Sequence, residues 1–278
     1  VNLAKVVLLV AALLWGAAAE ARGPLRVMSF NIRYPSPDDG ANRWPLRRAL
    51  AVRTIADADP DVIGMQEMFR EQGRDIVDAL PAYSWVGAGR RGGRDDEHMG
   101  LFWRRDRLTL IRWGEFWLSD TPEVPGSISW GNLYPRMVTW GEFSRPSDGR
   151  RFIVFNTHFP YRAEDGAARA KAARLLADRI AQLSDGLPVV LTGDFNDVPD
   201  SPTYRILTTG LSDGWRAAAR RSGPDGTFNG FSGAGDRRID WVLTHGFRVG
   251  EVRTIARREG AVFPSDHWPV LADLSFQN

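Results

Sequence analysis

One mixed α/β domain is the fold class this sequence predicts. From about Leu25 onward, short β-rich runs alternate with amphipathic helical stretches. No internal repeat, linker or shift in composition divides them. The 278 residues, 43% hydrophobic and 25% charged, suffice for one large core.

Leu25 to Ile32 reads as a buried strand, followed by the turn-rich segment PSPDDG. Pro45 then takes a first helical position, and the helix is expected to turn Leu46, Ala49, Leu50 and Ala56 to the core. Asp61 to Gln66 is the next strand, with a helix from about Glu71 to Leu80. Strands near Leu101–Trp103 and Leu108–Leu118 precede a Pro/Gly/Ser-rich stretch, Ser119 to Pro135. Met137–Ser144, the turn Pro146–Gly149 and RFIVFNTHF form a hairpin signature. The clearest helix runs from about Asp165 to Leu183, with Ala168, Ala172, Leu175, Leu176, Ile180 and Leu183 on one face and Gly186 as its stop. Strands follow at Pro188–Thr192, Ile239–Thr244, Phe247–Ile255 and Trp268–Leu274.

The start of the chain reads differently. Lys5, the apolar run Val6–Trp15 and the small residues Ala17–Ala21 match a secretory signal. The expected division is a signal segment over 1–21 and a domain over 22–278, with a periplasmic or secreted location. An uncleaved anchor is the alternative, although the run is short for a stable membrane span. A monomer is expected. The absence of Cys excludes disulfides without opposing export. A formal charge of +2 does not mark a general polyanion binder. Arg90, Arg91 and Arg94 are followed at once by Asp95, Asp96 and Glu97, which reads as a solvated loop. His98 and His245 read as loop residues, while Trp44 and Asn229 read as either cleft-lining or packing.

Acids, amides and imidazoles gather at strand ends, where mixed α/β folds collect their sites. They are Asn31, Gln66-Glu67, Asn156-Thr157-His158, Asp194-Phe195-Asn196, Asp240 and Ser265-Asp266-His267. Carboxylates and amides dominate, and H-x-H and H-E-x-x-H are missing, so Mg²⁺ or Mn²⁺ suits the set better than zinc. No P-loop, dinucleotide fingerprint or G-x-S-x-G elbow is present.

The pieces SFNIRY, GMQE, NTHF, TGDFND, RRIDWV and SDHWPV, in this order from Ser29 to Val270, resemble the endonuclease/exonuclease/phosphatase superfamily. NRWPLRR, GLFWRRDRL, FWLSDTP and PRMVTW are similar to its secreted bacterial branch. The resemblance implies a four-layer α/β/β/α sandwich of two mixed sheets, DNase I-like. It implies Glu67 as the main metal ligand, with Asn31 and Asp266 holding or orienting the ion. Asp194 would position or deprotonate the attacking water, and Asn196 would bind a phosphate oxygen. His267 would contact the phosphate or move a proton, with Asp240 fixing its tautomer. His158 would be a second imidazole at the phosphate, and Arg136 an added phosphate clamp.

The implied activity is Mg²⁺-dependent hydrolysis of a phosphodiester or phosphomonoester, with an extracytoplasmic small-molecule, lipid or glycan phosphate as substrate. A secreted nuclease is the alternative; nucleic acid is a possible but less favoured partner at this net charge. A non-catalytic binding domain on the same fold is the second alternative. GDFNDVPDSPTY lacks the Arg-bearing form typical of inositol 5-phosphatases, and His158 departs from the abasic-site endonuclease pattern.

Overall fold

Alternation along the strands decides the layers. The structure, a computed structural model, describes residues 23–277, so the signal reading of residues 1–21 lies outside the described residues. In chain order the elements are β1 (Leu25–Asn31), α1 (Trp44–Ala58), β2 (Val62–Met68), α2 (Arg70–Ala79), β3 (Tyr83–Val86), β4 (His98–Arg104), β5 (Thr109–Trp117) and β6 (Met137–Arg145). They continue with β7 (Arg150–His158), α3 (Gly166–Ser184), β8 (Val189–Asp194), α4 (Pro202–Leu207), β9 (Ser212–Asp213) and α5 (Gly214–Ala217). The last are β10 (Arg220–Ser222), β11 (Asp240–His245), β12 (Phe247–Thr254) and β13 (Val270–Phe276).

A seven-stranded sheet has the order β10-β12-β13-β1-β2-β4-β3, and a six-stranded sheet the order β5-β6-β7-β8-β11-β9. Each is mixed: β1 and β2 are parallel, as are β7 and β8, and antiparallel neighbours flank both pairs. Odd-numbered Leu25 and Val27 join Phe152, Val154, Val190 and Val242 between the sheets. Even-numbered Met28 and Phe30 face outward onto Trp44, Ala51, Ile55 and Ile76 of α1 and α2. On the other side, Ile153, Phe155 and Leu191 meet Ala172, Leu176 and Ile180 of α3 and Leu207 of α4. The result is the expected α/β/β/α sandwich, with strand period two setting which core each residue enters.

The inner layer changes character along the strands. Beyond Val27, Val62, Val154 and Val190, the next inward positions are Ser29, Gly64, Asn156 and Thr192, all buried. Asn156 Nδ2 crosses between the sheets to donate to the carbonyls of Met65 (2.7 Å) and Gly100 (3.1 Å). Its Oδ1 accepts from Gln66 Nε2 at 2.6 Å and from Thr192 Oγ1 at 3.2 Å. Gly64 makes room for this clasp. A Cβ there would lie 2.0 Å from Thr192 Oγ1 and 2.6 Å from Asn156 Oδ1.

Two expectations are corrected. α1 does not bury Leu46, Ala49 and Ala56: Leu46 is 51% exposed and both alanines face solvent, leaving Leu50 as the one residue of the four inside. The buried face instead carries Trp44, Arg47, Leu50, Ala51, Thr54, Ile55 and Ala58. Arg47 rotates the helix because its guanidinium goes inward to three carbonyls, those of Ile32 (2.7 Å), Arg33 (2.7 Å) and Pro264 (2.9 Å). Hydrophobicity alone places an arginine outside, so the face was misread. His98 is not a loop residue but opens β4, fully buried, with Nδ1 donating to the Asp96 carbonyl at 2.9 Å. His245 lies exposed at the end of β11, beside the turn to β12. Trp44 packs in the outer core, with Nε1 donating to Asp75 at 2.7 Å.

Gly64→Ala should destabilise the fold by about 1–3 kcal/mol, the range for overpacking a fitted interior. A urea midpoint equal to wild type would show that the sheets do not depend on this close approach.

Candidate active site

Past the clasp, the same inward positions become chemical groups. Asn31 ends β1, His158 ends β7 and Asp194 ends β8, all buried. β11 runs the other way and presents Asp240 directly opposite Asp194 in register. Their outward neighbours anchor them: Phe195 stacks on Trp241 with ring centroids 4.4 Å apart and planes 12° from parallel. Glu67 follows inward-facing Gln66, so strict alternation would turn it outward. A bulge between Met65 and Met68 and a left-handed backbone at Glu67 (φ 56°) turn it in instead.

Two buried acids directly opposite one another repel unless a cation lies between them. His267 is that cation. Its Nδ1 donates to Asp240 Oδ2 at 2.8 Å, and its Nε2 lies 3.7 Å from Asp194 Oδ2. Burial opposes the charged imidazole, but Asp240 and Asp194 outweigh it and raise its pKa well above the ordinary histidine value. Thr227, absent from the sequence reading, donates from Oγ1 to the same Asp240 oxygen at 2.5 Å and accepts from the Ile239 and Asp240 amides.

Asp194 is oriented on both oxygens. Asn31 Nδ2 donates to Oδ2 at 2.8 Å, and the Asn196 amide donates to Oδ1 at 3.0 Å. Burial and then Asp240 push this carboxyl up to about 6, close to the range a general base needs near neutrality. Asn31 Nδ2 also donates to Glu67 Oε1 at 3.1 Å, so one amide bridges the two acids. The Tyr34 amide donates to the other Glu67 oxygen at 3.2 Å. Burial, and then Asp266, raise the Glu67 pKa.

His158 is the opposite of His267. Burial, with Arg136, His267 and Arg90 nearby, depresses its pKa well below the ordinary value, leaving a neutral ring. Its Nε2 sits 3.5 Å from Asp194 Oδ2 and accepts from Asn196 Nδ2 at 2.9 Å. Asn196 also donates to the Phe159 carbonyl at 3.1 Å, so both its amide protons are engaged. A phosphate oxygen must therefore displace one of these contacts to be held by Asn196. Asp266 lies 3.6 Å from Arg33 and shares Ser265, whose Oγ donates to the Asn31 carbonyl at 2.7 Å. Asn229 supports this segment, donating to the Ser265 carbonyl at 3.2 Å; it packs rather than lines the cleft.

Glu67, Asp194, Asn196, His158, Asp266, His267 and Arg136 line one cleft of about 610 Å³, with Asn31 and Asp240 just behind. The oxygen-rich donor set can hold a divalent cation, and one ligand atom each from Glu67, His158 and Asp194 lie within 4.8 Å of one another. Arg136 is 5% exposed, its charge is penalised by burial, and its Nη1 has no hydrogen-bond partner among the described residues.

The cleft also overturns the solvated-loop reading. Arg91, Arg94 and Asp95 are exposed, but Arg90, Asp96 and Glu97 line the cleft. Arg90 is buried, 2.9 Å from Asp96, 2.8 Å from Glu97 and 4.5 Å from the Tyr134 ring centroid. A charge run resembles a solvated face until tertiary contact pairs it. Arg33, within SFNIRY, was also passed over; it pairs with Asp39 at 2.8 Å and lines the cleft.

The Endonuclease/Exonuclease/phosphatase family matches residues 28–267. The chain belongs to this family. It is a phosphoester hydrolase of that family, on the sandwich described above. A mannosyl-6-phosphatase of Bacteroides thetaiotaomicron VPI-5482 is 33% identical, with a TM-score of 0.86 over 91% of this chain and 100% of that one. A family structure from Bacteroides vulgatus is 33% identical, with a TM-score of 0.87 over 92% and 100% of the two chains. Carbon catabolite repressor protein 4 homolog 3 of Arabidopsis thaliana is 26% identical over 60% of this chain, which spans 36% of that protein's length. The human Nocturnin catalytic domain, 19% identical with a TM-score of 0.74 over 92% of this chain and 96% of that one, shares the fold.

The raised His267 pKa fixes a pH dependence. With EDTA present, the His267–Asp240 pair should contribute stability in full below the unfolded histidine value of about 6.5. That contribution should fade as pH rises through the higher folded value. Urea unfolding from pH 6 to 9 checks this: wild type should lose stability relative to Asp240→Asn as pH rises. Parallel curves would contradict it.

Proposed function

We propose that the chain is a Mg²⁺-dependent phosphoester hydrolase acting on an extracytoplasmic small-molecule, lipid or glycan phosphate, with water as nucleophile at phosphorus. The observation that carries this reading is Asp194, held between Asn31 and the Asn196 amide at the floor of a cleft that also contains Glu67 and imidazolium His267. The residues fit a hard divalent ion: half-buried Glu67 and buried Asp194 share one amide, and Asp266 adds a third acid to the same cleft. Glu67 would hold the ion, with Asn31 and Asp266 holding or orienting it. When bound, Mg²⁺, or Mn²⁺ in its place, neutralises phosphoryl charge.

The chain's own groups supply the rest. Asp194 orients the attacking water and takes its proton at Oδ2. His267 donates from Nε2 toward the phosphoryl group, while Asp240 keeps the other ring proton on Nδ1. Arg136, whose Nη1 has no hydrogen-bond partner among the described residues, meets a phosphate oxygen with its buried guanidinium. As the anionic substrate arrives, neutral His158 would take up a proton from solvent and then donate to it.

Full-length similarity to the mannosyl-6-phosphatase supports a compact phosphate substrate. The apolar segment Val6–Trp15 supports export.

EDTA should abolish turnover, and Mg²⁺ or Mn²⁺ should restore it; restoration by Zn²⁺ alone would contradict the ligand argument. Asp194→Asn should lower kcat about 10²–10⁴-fold, as expected for loss of a general base, while KM moves little. A panel of phosphomonoesters, phosphodiesters, phospholipids and nucleic acids tests the substrate class. Faster cleavage of DNA or RNA than of any small ester would replace this reading with a nuclease.

A further inference from the structure

We propose that Glu97 and Asp96, held by Arg90 beside Tyr134, form a specificity wall that reads the hydroxyl groups of a sugar-like leaving group on a phosphate monoester. The inference rests on the hydrolase reading above and names its substrate class.

Charge divides the cleft into two ends. One end of the ester must be anionic, and Arg136 serves it: the guanidinium is buried, faces the cleft and lacks a partner at Nη1 among the described residues. The neighbouring arginine is different. Arg90 places Nε 2.9 Å from Asp96 and Nη1 2.8 Å from Glu97, and Arg91 Nε lies 2.7 Å from the other Asp96 oxygen, so neither guanidinium is left without an acid. What this side of the cleft offers a ligand is therefore acceptor oxygen, not positive charge. A second phosphate, as in a nucleic-acid backbone, would find both cations of this loop already paired with acids. Hydroxyl groups would instead donate to those oxygens.

The wall is also built separately from the proton relay. The wall comes from the loop between β3 and β4, whereas the proton relay comes from β8, β11 and the segment before β13. The loop is tightly closed: the Gly89 amide donates to the Gly93 carbonyl and the Arg90 amide to the Glu97 carbonyl, each at 2.8 Å. Trp117 Nε1 donates to the Arg90 carbonyl at 2.6 Å. A Cβ at Gly89 would lie 1.8 Å from the Asp95 carbonyl oxygen, so the turn closes only around glycine. Glu97 and Asp96 side chains retain 12% and 15% exposure, opening into the cleft. Tyr134, stacked with Arg90, adds an aromatic surface of the kind that packs on sugar C–H groups.

The test compares kcat/KM for mannose 6-phosphate and p-nitrophenyl phosphate, two monoesters of which only the first has leaving-group hydroxyls. The ratio of the two values is independent of how much enzyme is folded. Glu97→Ala should lower the mannose 6-phosphate to p-nitrophenyl phosphate ratio at least tenfold, and Glu97→Gln, which keeps one acceptor, should lower it less. A ratio within twofold of wild type in Glu97→Ala would overturn the assignment. So would wild-type enzyme that turns over p-nitrophenyl phosphate but no sugar phosphate. Failure of the underlying reading looks different: no phosphoester of any kind is then hydrolysed with Mg²⁺.

Discussion

The buried clasp between the sheets, where Asn156 reaches across to the carbonyls of Met65 and Gly100 above a side-chain-free Gly64, governs what lies beyond it. On one side of it the inward residues are Val27, Val62, Val154 and Val190, which need no partners. On the other side they are Asn31, His158, Asp194 and Asp240, which need several. A buried amide that fails to pair costs about 1–3 kcal/mol, so its satisfied geometry fixes how the sheets meet. Because β1 and β2 are parallel, as are β7 and β8, the polar ends of both pairs emerge together. Asn31, His158, Asp194 and Asp240 are thus continuations of the core pattern, whereas Asn196 and His267 come from the segments after β8 and before β13.

Charge within the site follows the same logic. Asp194 and Asp240 face each other across an antiparallel pair, and His267 between them carries the compensating proton. His158 is pushed the other way, by burial first and then by Arg136, His267 and Arg90. Two imidazoles in one cleft are therefore shifted in opposite directions, His267 toward the cation and His158 toward the neutral ring.

Much of this was legible in the sequence. Short β-rich runs marked β1, β7 and β8, alternation marked β6, and strand-end polar residues marked Asn31, His158, Asp194, Asp240 and His267. What escaped has physical causes. Arg47 is buried because it serves backbone carbonyls distant in sequence, one of them at Pro264, which no local pattern reveals. Arg90, Asp96 and Glu97 look like a solvated charge run because their pairing is tertiary. The inward turn of Glu67 depends on a bulge and a left-handed backbone at a residue that is not glycine. β3 and α4 were too short to show a period, although Ser201 caps α4 from its own Oγ and Pro202 opens it, a readable start signal.

The central claim is that Glu67, bridged to Asp194 through Asn31, holds the ion that makes this cleft a hydrolase. Manganese binding to the purified protein, followed by electron paramagnetic resonance, tests it most directly. The account requires wild type to bind Mn²⁺ and Glu67→Ala to lose at least tenfold in affinity while keeping the wild-type circular dichroism. Equal Mn²⁺ affinity in a folded Glu67→Ala protein would contradict it.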